Sequence, residues 1–175
     1  MKIYLVGMPF SGKTFIGLKL AEKLSFNFID INTEIEKEAL MFIDEIYTNL
    51  GEETVKYQEK ILLEKLLKED NTVIATTCSV VEDRKNKNLI DGIVIYLTVS
   101  DQILEKRKNE GYPNFLVEKY SIEDLSKKRF LLYQNFATDI VENEEDYNKT
   151  IDQILKIVTN SWYFTYIYSI IITLY

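Results

Sequence analysis

Gly7-Met8-Pro9-Phe10-Ser11-Gly12-Lys13-Thr14 is the stretch from which the rest of the chain is read. It fits G-x-x-x-x-G-K-[ST] at every fixed position. Lys2 to Val6 (KIYLV) before it is a short, apolar, β-branched run. Lys13 to Leu24 after it carries Ile16, Leu18, Leu20, Ala21 and Leu24 at helical spacing. The order is therefore strand, glycine-hinged loop, helix. In such a loop backbone N–H groups converge on a phosphate, and the helix N-terminus adds positive partial charge. Lys13 is expected to reach the β- and γ-phosphates, and the Thr14 hydroxyl to sit on Mg²⁺. Gly7, Pro9, Phe10, Ser11, Gly12, Lys13, Thr14 and Phe15 are thus the candidate nucleotide-binding residues. The pattern implies ATP or GTP. The bland alternative, a chance glycine-lysine turn, has the flanking strand and helix against it.

Outward from the loop the same alternation continues. Phe26 to Ile31 is a second strand candidate, and Thr33 opens a helix as a predicted N-cap with Glu36 three residues on. Ile43 to Leu50 and Glu52 to Glu69 read as helices separated by Gly51. Thr72 to Thr76 (TVIAT) and Ile93 to Val99 (IVIYLTV) are continuous apolar runs, as strands buried on both faces require. Arg84 to Asn88 reads as a solvated turn. Asp101 to Lys108, Ser121 to Asn135 and Asn148 to Thr159 are helical, Glu110 to Phe115 is a loop, and Asp139 to Glu142 is a short strand. Buried strands alternating with helices predict an α/β fold: a parallel sheet of about five strands with helices on both faces. Right-handed crossovers place the loops after the strands on one edge, where ligands bind.

Composition sets limits. The 175 residues suit one domain, and 46% hydrophobic with 28% charged residues is a globular mixture. The net charge of -7 disfavours general nucleic-acid binding, which needs a basic surface. There is no histidine, so Ser-His-Asp and Cys-His catalysis and histidine-held metals are excluded. One cysteine excludes an internal disulfide and cysteine-rich zinc sites. Met1 to Val6 is too short for a secretory apolar core, and a cytoplasmic location is the expectation.

Several further segments, in order, resemble the shikimate kinases of the nucleoside-monophosphate-kinase-like P-loop group. The resemblance runs from Lys2 to about Lys156. Phe28-Ile29-Asp30-Ile31-Asn32 with Ile35-Glu36 is similar to that family's F-[IL]-D-x-D-x-x-I-E. Ile43-Asp44-Glu45-Ile46-Tyr47 and Gly51 to Glu59 resemble I-x-E-[IL]-F and G-E-x-x-F-R-x-x-E. Val73 to Thr76 resembles the strand before its glycine triplet, and Val94 to Leu97 its next strand. Arg129 to Tyr133 with Ala137 resembles R-x-x-L-Y-x-x-x-A. The resemblance implies a three-layer P-loop kinase fold over residues 1–160, with a small lid around residues 108–120. It implies transfer of a phosphoryl group from ATP to the 3-hydroxyl of shikimate, with Mg²⁺ as cofactor. It also implies roles. Lys13 and Asp30 are catalytic, with Thr14 and Asp30 at the metal and Asp30 near the attacking hydroxyl. Arg107 lies near the nucleotide. Asn32, Lys56, Thr77, Cys78 and Arg129 line the acceptor site, Arg129 holding the carboxylate. Glu59 orients the substrate-side arginine. A monomer is expected.

Four departures fall on the acceptor half. Asn32 replaces the second aspartate of D-x-D. Lys56 replaces an arginine and loses its bidentate fork. Thr77-Cys78-Ser79 replaces the glycine triplet, where side chains would intrude and any positive φ would be strained. Tyr112 stands for the lid arginine before Pro113. Three readings of that half stay open: a diverged but working shikimate kinase, a kinase with another hydroxylated acceptor, or an ATP-binding protein without transfer. Cys78 reads as a small apolar residue, since no histidine exists to activate it. The tail 161–175 is uncharged and hydrophobic, and the whole run from Ile157 to Tyr175 is without charge. It lacks the basic flanks of a membrane span, and a dispensable extension or a packed add-on is expected instead. If a chain cut after Asn160 folds with its thermal midpoint unchanged, the tail is dispensable; failure to fold would rule that out.

Overall fold

The computed structural model describes residues 1–111 and 114–173, with side chains as far as Ser161. Five strands form one sheet: Lys2–Val6 (β1), Asn27–Asp30 (β2), Thr72–Ala75 (β3), Ile93–Thr98 (β4) and Asp139–Glu142 (β5). Their order is β2-β3-β1-β4-β5, and every pairing is parallel. The helices are Lys13–Leu24 (α1), Ile31–Ala39 (α2), Ile43–Asn49 (α3), Glu52–Leu66 (α4), Asp101–Glu110 (α5), Phe115–Lys119 (α6), Ile122–Phe136 (α7) and Tyr147–Thr173 (α8). Short 3-10 turns span Val80–Glu82 and Arg84–Leu89.

Side-chain alternation along the strands divides the core in two. Ile3, Leu5, Val73, Ile95 and Leu97 pack with Ile16 and Leu20 of α1 and Ile151, Ile154 and Val158 of α8. Tyr4, Val6, Ile74, Val94 and Tyr96 point the other way, onto Ile35 of α2, Ile46 of α3, Leu63 of α4 and Leu125 and Tyr133 of α7. Both faces of the sheet are therefore covered, and the strands need apolar residues at every position. The three-layer arrangement matches the expectation. β1 lies between β3 and β4, so crossovers leave it in opposite directions. The loop after β1 sits where the strand order reverses, the ligand crevice of such sheets.

Some boundaries differ, for physical reasons. α2 starts at Ile31 because Asp30, not Thr33, is its N-cap: Asp30 Oδ1 accepts from Asn32 N at 3.0 Å and Thr33 N at 3.4 Å. Glu36 accepts instead from Ile43 N at 2.9 Å, tying α2 to α3. The Arg84–Leu89 turn is not wholly solvated. Asn86 is buried, and its Nδ2 donates to Val80 O at 3.0 Å. Within the lid segment, Phe115 stacks on Tyr47 with centroids 5.4 Å apart, and its N–H donates to Asp44 Oδ1 at 2.9 Å. The backbone of α8 runs on to Thr173, well past the predicted Thr159. Among the described residues no helix is long and apolar enough to cross a membrane. The choice between an extension and a packed add-on rests on side chains outside the described residues.

Tyr133 links core to site. It is fully buried, stacks on Tyr96 at 4.9 Å, and donates from its hydroxyl to Cys78 O at 2.5 Å. Tyr133→Phe keeps the stack and orphans that carbonyl. Urea unfolding should show a loss of about 1–2 kcal/mol with an unchanged m-value.

Candidate active site

The loop Gly7 to Thr14 is held by its own backbone. Phe10 (φ 61°) and Gly12 (φ 88°) take left-handed conformations that turn it. At Gly12 a Cβ would lie 2.5 Å from Asn143 Nδ2, which donates to Ser11 O at 2.7 Å. At Gly7 a Cβ would meet Leu97 O at 2.9 Å. The Lys13 ammonium donates to Gly7 O and Met8 O, both at 2.9 Å, and to Ser11 Oγ at 3.4 Å. Burial pushes its pKa below the ordinary lysine value, with Asp30 and Glu59 pulling upward and Arg129 assisting the fall. No side chain caps α1, whose first-turn N–H groups stay available to an anion. Pro9 is buried in the loop, whereas Phe15 is exposed and meets Tyr147 edge-on at 5.1 Å. Arg107 Nη1 donates to Phe10 O at 3.2 Å. Its Nη2 donates to Asn143 O at 2.9 Å and to Glu144 O. The expected nucleotide-side arginine thus ties the loop to the segment after β5.

Asp30 serves two partners. Oδ1 caps α2, while Oδ2 accepts from the Thr14 hydroxyl at 2.5 Å. The structure therefore brings the two expected metal-side residues together. Asn32 is half-buried in the first turn of α2.

On the acceptor side Thr77, Cys78 and Ser79 follow β3. None has a positive φ, so the strain expected of a replaced glycine triplet is absent. Nor do all three side chains intrude. Thr77 and Ser79 are buried and share a hydroxyl–hydroxyl contact of 3.1 Å, and Thr77 Oγ1 accepts from Ser79 N at 3.2 Å. Cys78 is only partly buried, against the apolar core. Glu59 does not hydrogen-bond a cation, contrary to its expected orienting role. Its Oε1 accepts from Thr77 N at 3.2 Å, and Oε2 has no hydrogen-bond partner. It holds the segment after β3 instead. Arg129 is buried on α7, and Lys56 lies on α4. Both reach Glu82, with Arg129 Nη2 at 2.7 Å and Lys56 Nζ at 3.3 Å. Tyr112 lies outside the described residues.

The sequence did not point to Glu82 or Asn143 as site residues. Glu82 sits in a segment without helical or strand periodicity. Asn143 is one polar residue in the run Glu142 to Asp146 and acts across 132 positions of sequence. No local signal marks such partners.

A parallel sheet with this loop after its central strand, and a hydroxyl–carboxylate pair at its mouth, defines a P-loop kinase-type domain. The family model for shikimate kinase matches residues 9–159. The shikimate kinase of Persephonella marina is 33% identical over 157 residues, which cover 87% of this chain and 96% of that protein. The bifunctional shikimate kinase/3-dehydroquinate synthase of Thermotoga maritima is 34% identical over 138 residues; the match covers 78% of this chain and spans 28% of that longer protein. The structure of Acinetobacter baumannii shikimate kinase in complex with shikimate matches with a TM-score of 0.82 at 28% identity, over 91% of this chain and 93% of that one. The chain belongs to the shikimate kinase family.

Two predictions follow from this geometry. Gly12→Ala strains a left-handed residue and displaces Asn143; nucleotide affinity measured by calorimetry should fall at least about tenfold. Burial raises the Glu59 carboxyl from 4.5 to about 7, against the Thr77 N–H and the Arg129 and Lys13 charges. Between those values the folded chain holds a proton that the unfolded chain releases. Stability therefore falls as pH rises through that window, by on the order of 3 kcal/mol. Glu59→Gln keeps an acceptor for Thr77 N and should flatten that part of the unfolding profile.

Proposed function

We propose that this chain transfers the γ-phosphoryl group of ATP to the 3-hydroxyl of shikimate. The observation that carries the reading is the Thr14–Asp30 hydrogen bond of 2.5 Å beside Lys13, which itself lies within electrostatic reach of Arg129. Nucleotide and acceptor halves thereby meet at one edge of the sheet. In this reading the hydroxyl oxygen attacks the γ-phosphorus, the bond to the β–γ bridging oxygen breaks, ADP departs, and the hydroxyl proton is released. Lys13 offsets charge on the β- and γ-phosphates. Asp30, fixed by its cap to α2, lies beside the attacking hydroxyl. Arg129 donates to the acceptor, Asn32 and Lys56 stand on its side of the pocket, and Thr77 and Cys78 supply its floor.

Thr14 and Asp30 suit Mg²⁺, being two hard oxygen donors side by side. Among the described residues no group of three His, Cys, Asp or Glu is placed to hold a metal alone, which agrees with a cation completed by phosphate oxygens. When bound, that ion bridges phosphate oxygens and neutralises developing charge. A cytoplasmic monomer belongs to the same proposal. A different hydroxylated acceptor is the second reading, favoured by the engagement of both Lys56 and Arg129 with Glu82.

The test is ADP release by the full chain with Mg-ATP, with and without shikimate. Shikimate-dependent release is expected. Lys13→Ala should lower it by about 10³-fold and Asp30→Asn by about 10²-fold or more, both read in kcat. Intact ATP binding with no shikimate-dependent ADP would sink the reading.

A further inference from the structure

Glu82 closes the 3-10 turn after Ser79 and is 11% exposed. Its Oε1 accepts from Arg129 Nε at 2.8 Å and Nη2 at 2.7 Å, and from Lys128 Nζ at 3.0 Å. Its Oε2 faces Lys56 Nζ at 3.3 Å. Lys56 also reaches Glu52 at 3.3 Å and Glu53 at 3.2 Å. The cations Lys56, Lys128 and Arg129 are thus matched by the carboxylates of Glu52, Glu53 and Glu82. Burial opposes ionisation of Glu82, but Arg129 and Lys128 outweigh it and hold the carboxyl down at about 2. It is charged across the working pH range.

The fork of Arg129 is consequently half used. Its Nε–Nη2 edge belongs to Glu82, while Nη1 has no hydrogen-bond partner among the described residues, although the side chain is only 1% exposed. A buried donor is seldom left unpaired, and this one remains for a ligand. A carboxylate arriving here meets a cluster whose charge is already offset. A hydroxyl or carbonyl oxygen meets a free donor at little electrostatic cost.

We propose that Glu82 is a specificity-determining residue, a carboxylate built into the acceptor pocket that already occupies Arg129 and Lys56, so that the pocket selects its acceptor by hydroxyl groups rather than by negative charge. The proposal rests on the acceptor-side placement of Arg129 and Lys56 given above. A purely structural ion pair between α4 and α7 makes the opposite forecast. Removing it loosens the pocket and cannot tighten binding of an acid.

Calorimetry on the full chain with shikimate and with its neutral methyl ester decides. The wild-type chain should bind the two within about threefold of each other. Glu82→Gln should bind shikimate about tenfold more tightly than wild type, the scale of one charge-assisted contact regained, with the ester unchanged. A wild-type preference for the acid of about a hundredfold, or no gain in Glu82→Gln, overturns the proposal. Should that variant fail to fold, the wild-type comparison decides alone. Wild-type turnover of shikimate without a gain in the variant removes the role of Glu82 and leaves the transfer reading standing. A gain without turnover does the reverse. No binding of either compound by either protein overturns both.

Discussion

β1 has no free edge. Lys2 to Leu5 pair with β3 on one side, and Ile3 to Val6 pair with β4 on the other, all in parallel register. That double pairing fixes where Gly7 leaves the sheet and hence where the loop can curl. With both ladders full, the chain beyond Val6 has only its own carbonyls and neighbouring loops to bond. It does so through Lys13, Asn143 and Arg107. The same pairing buries both faces of β1, so α1 and α8 cover one side and α2 to α4 with α7 the other. Lys2 shows how completely β1 is enclosed. It is a buried lysine, tolerated because its ammonium donates to Leu66 O at 2.8 Å and Leu67 O at 3.0 Å, at the end of α4, and faces Asp91.

The two halves of the site are held by different chemistry. Around the nucleotide loop, side-chain donors mostly contact backbone carbonyls: Gly7, Met8, Phe10, Ser11, Asn143 and Glu144. Around the acceptor, contacts run largely between side chains, as in Arg129 with Glu82, Lys56 with Glu52, and Thr77 with Ser79. Glu59 couples the halves, anchoring Thr77 while its charge is felt at Lys13.

Local patterns made the fold legible. Alternating apolar residues in Lys2–Val6, the unbroken runs at β3 and β4, and the glycine-lysine loop placed the sheet and the nucleotide site within a residue or two. The start of α2 was misjudged because Asp30, valued for chemistry, also satisfies the helix terminus. The segment Thr77 to Ser79 was expected to be strained, yet buried hydroxyls bonding one another let ordinary residues fit there. Glu82 stayed invisible, because an ion pair spanning 47 positions leaves no trace in spacing.

A contact made to a backbone carbonyl survives replacement of the residue that supplies it. Arg107 would find the same oxygens at positions 143 and 144 whatever side chains stood there. A contact made to a side chain ends with a single codon. The nucleotide half of this chain is therefore buffered against drift, whereas the acceptor half, keyed to Glu82, can be retuned by one substitution without disturbing the sheet beneath it.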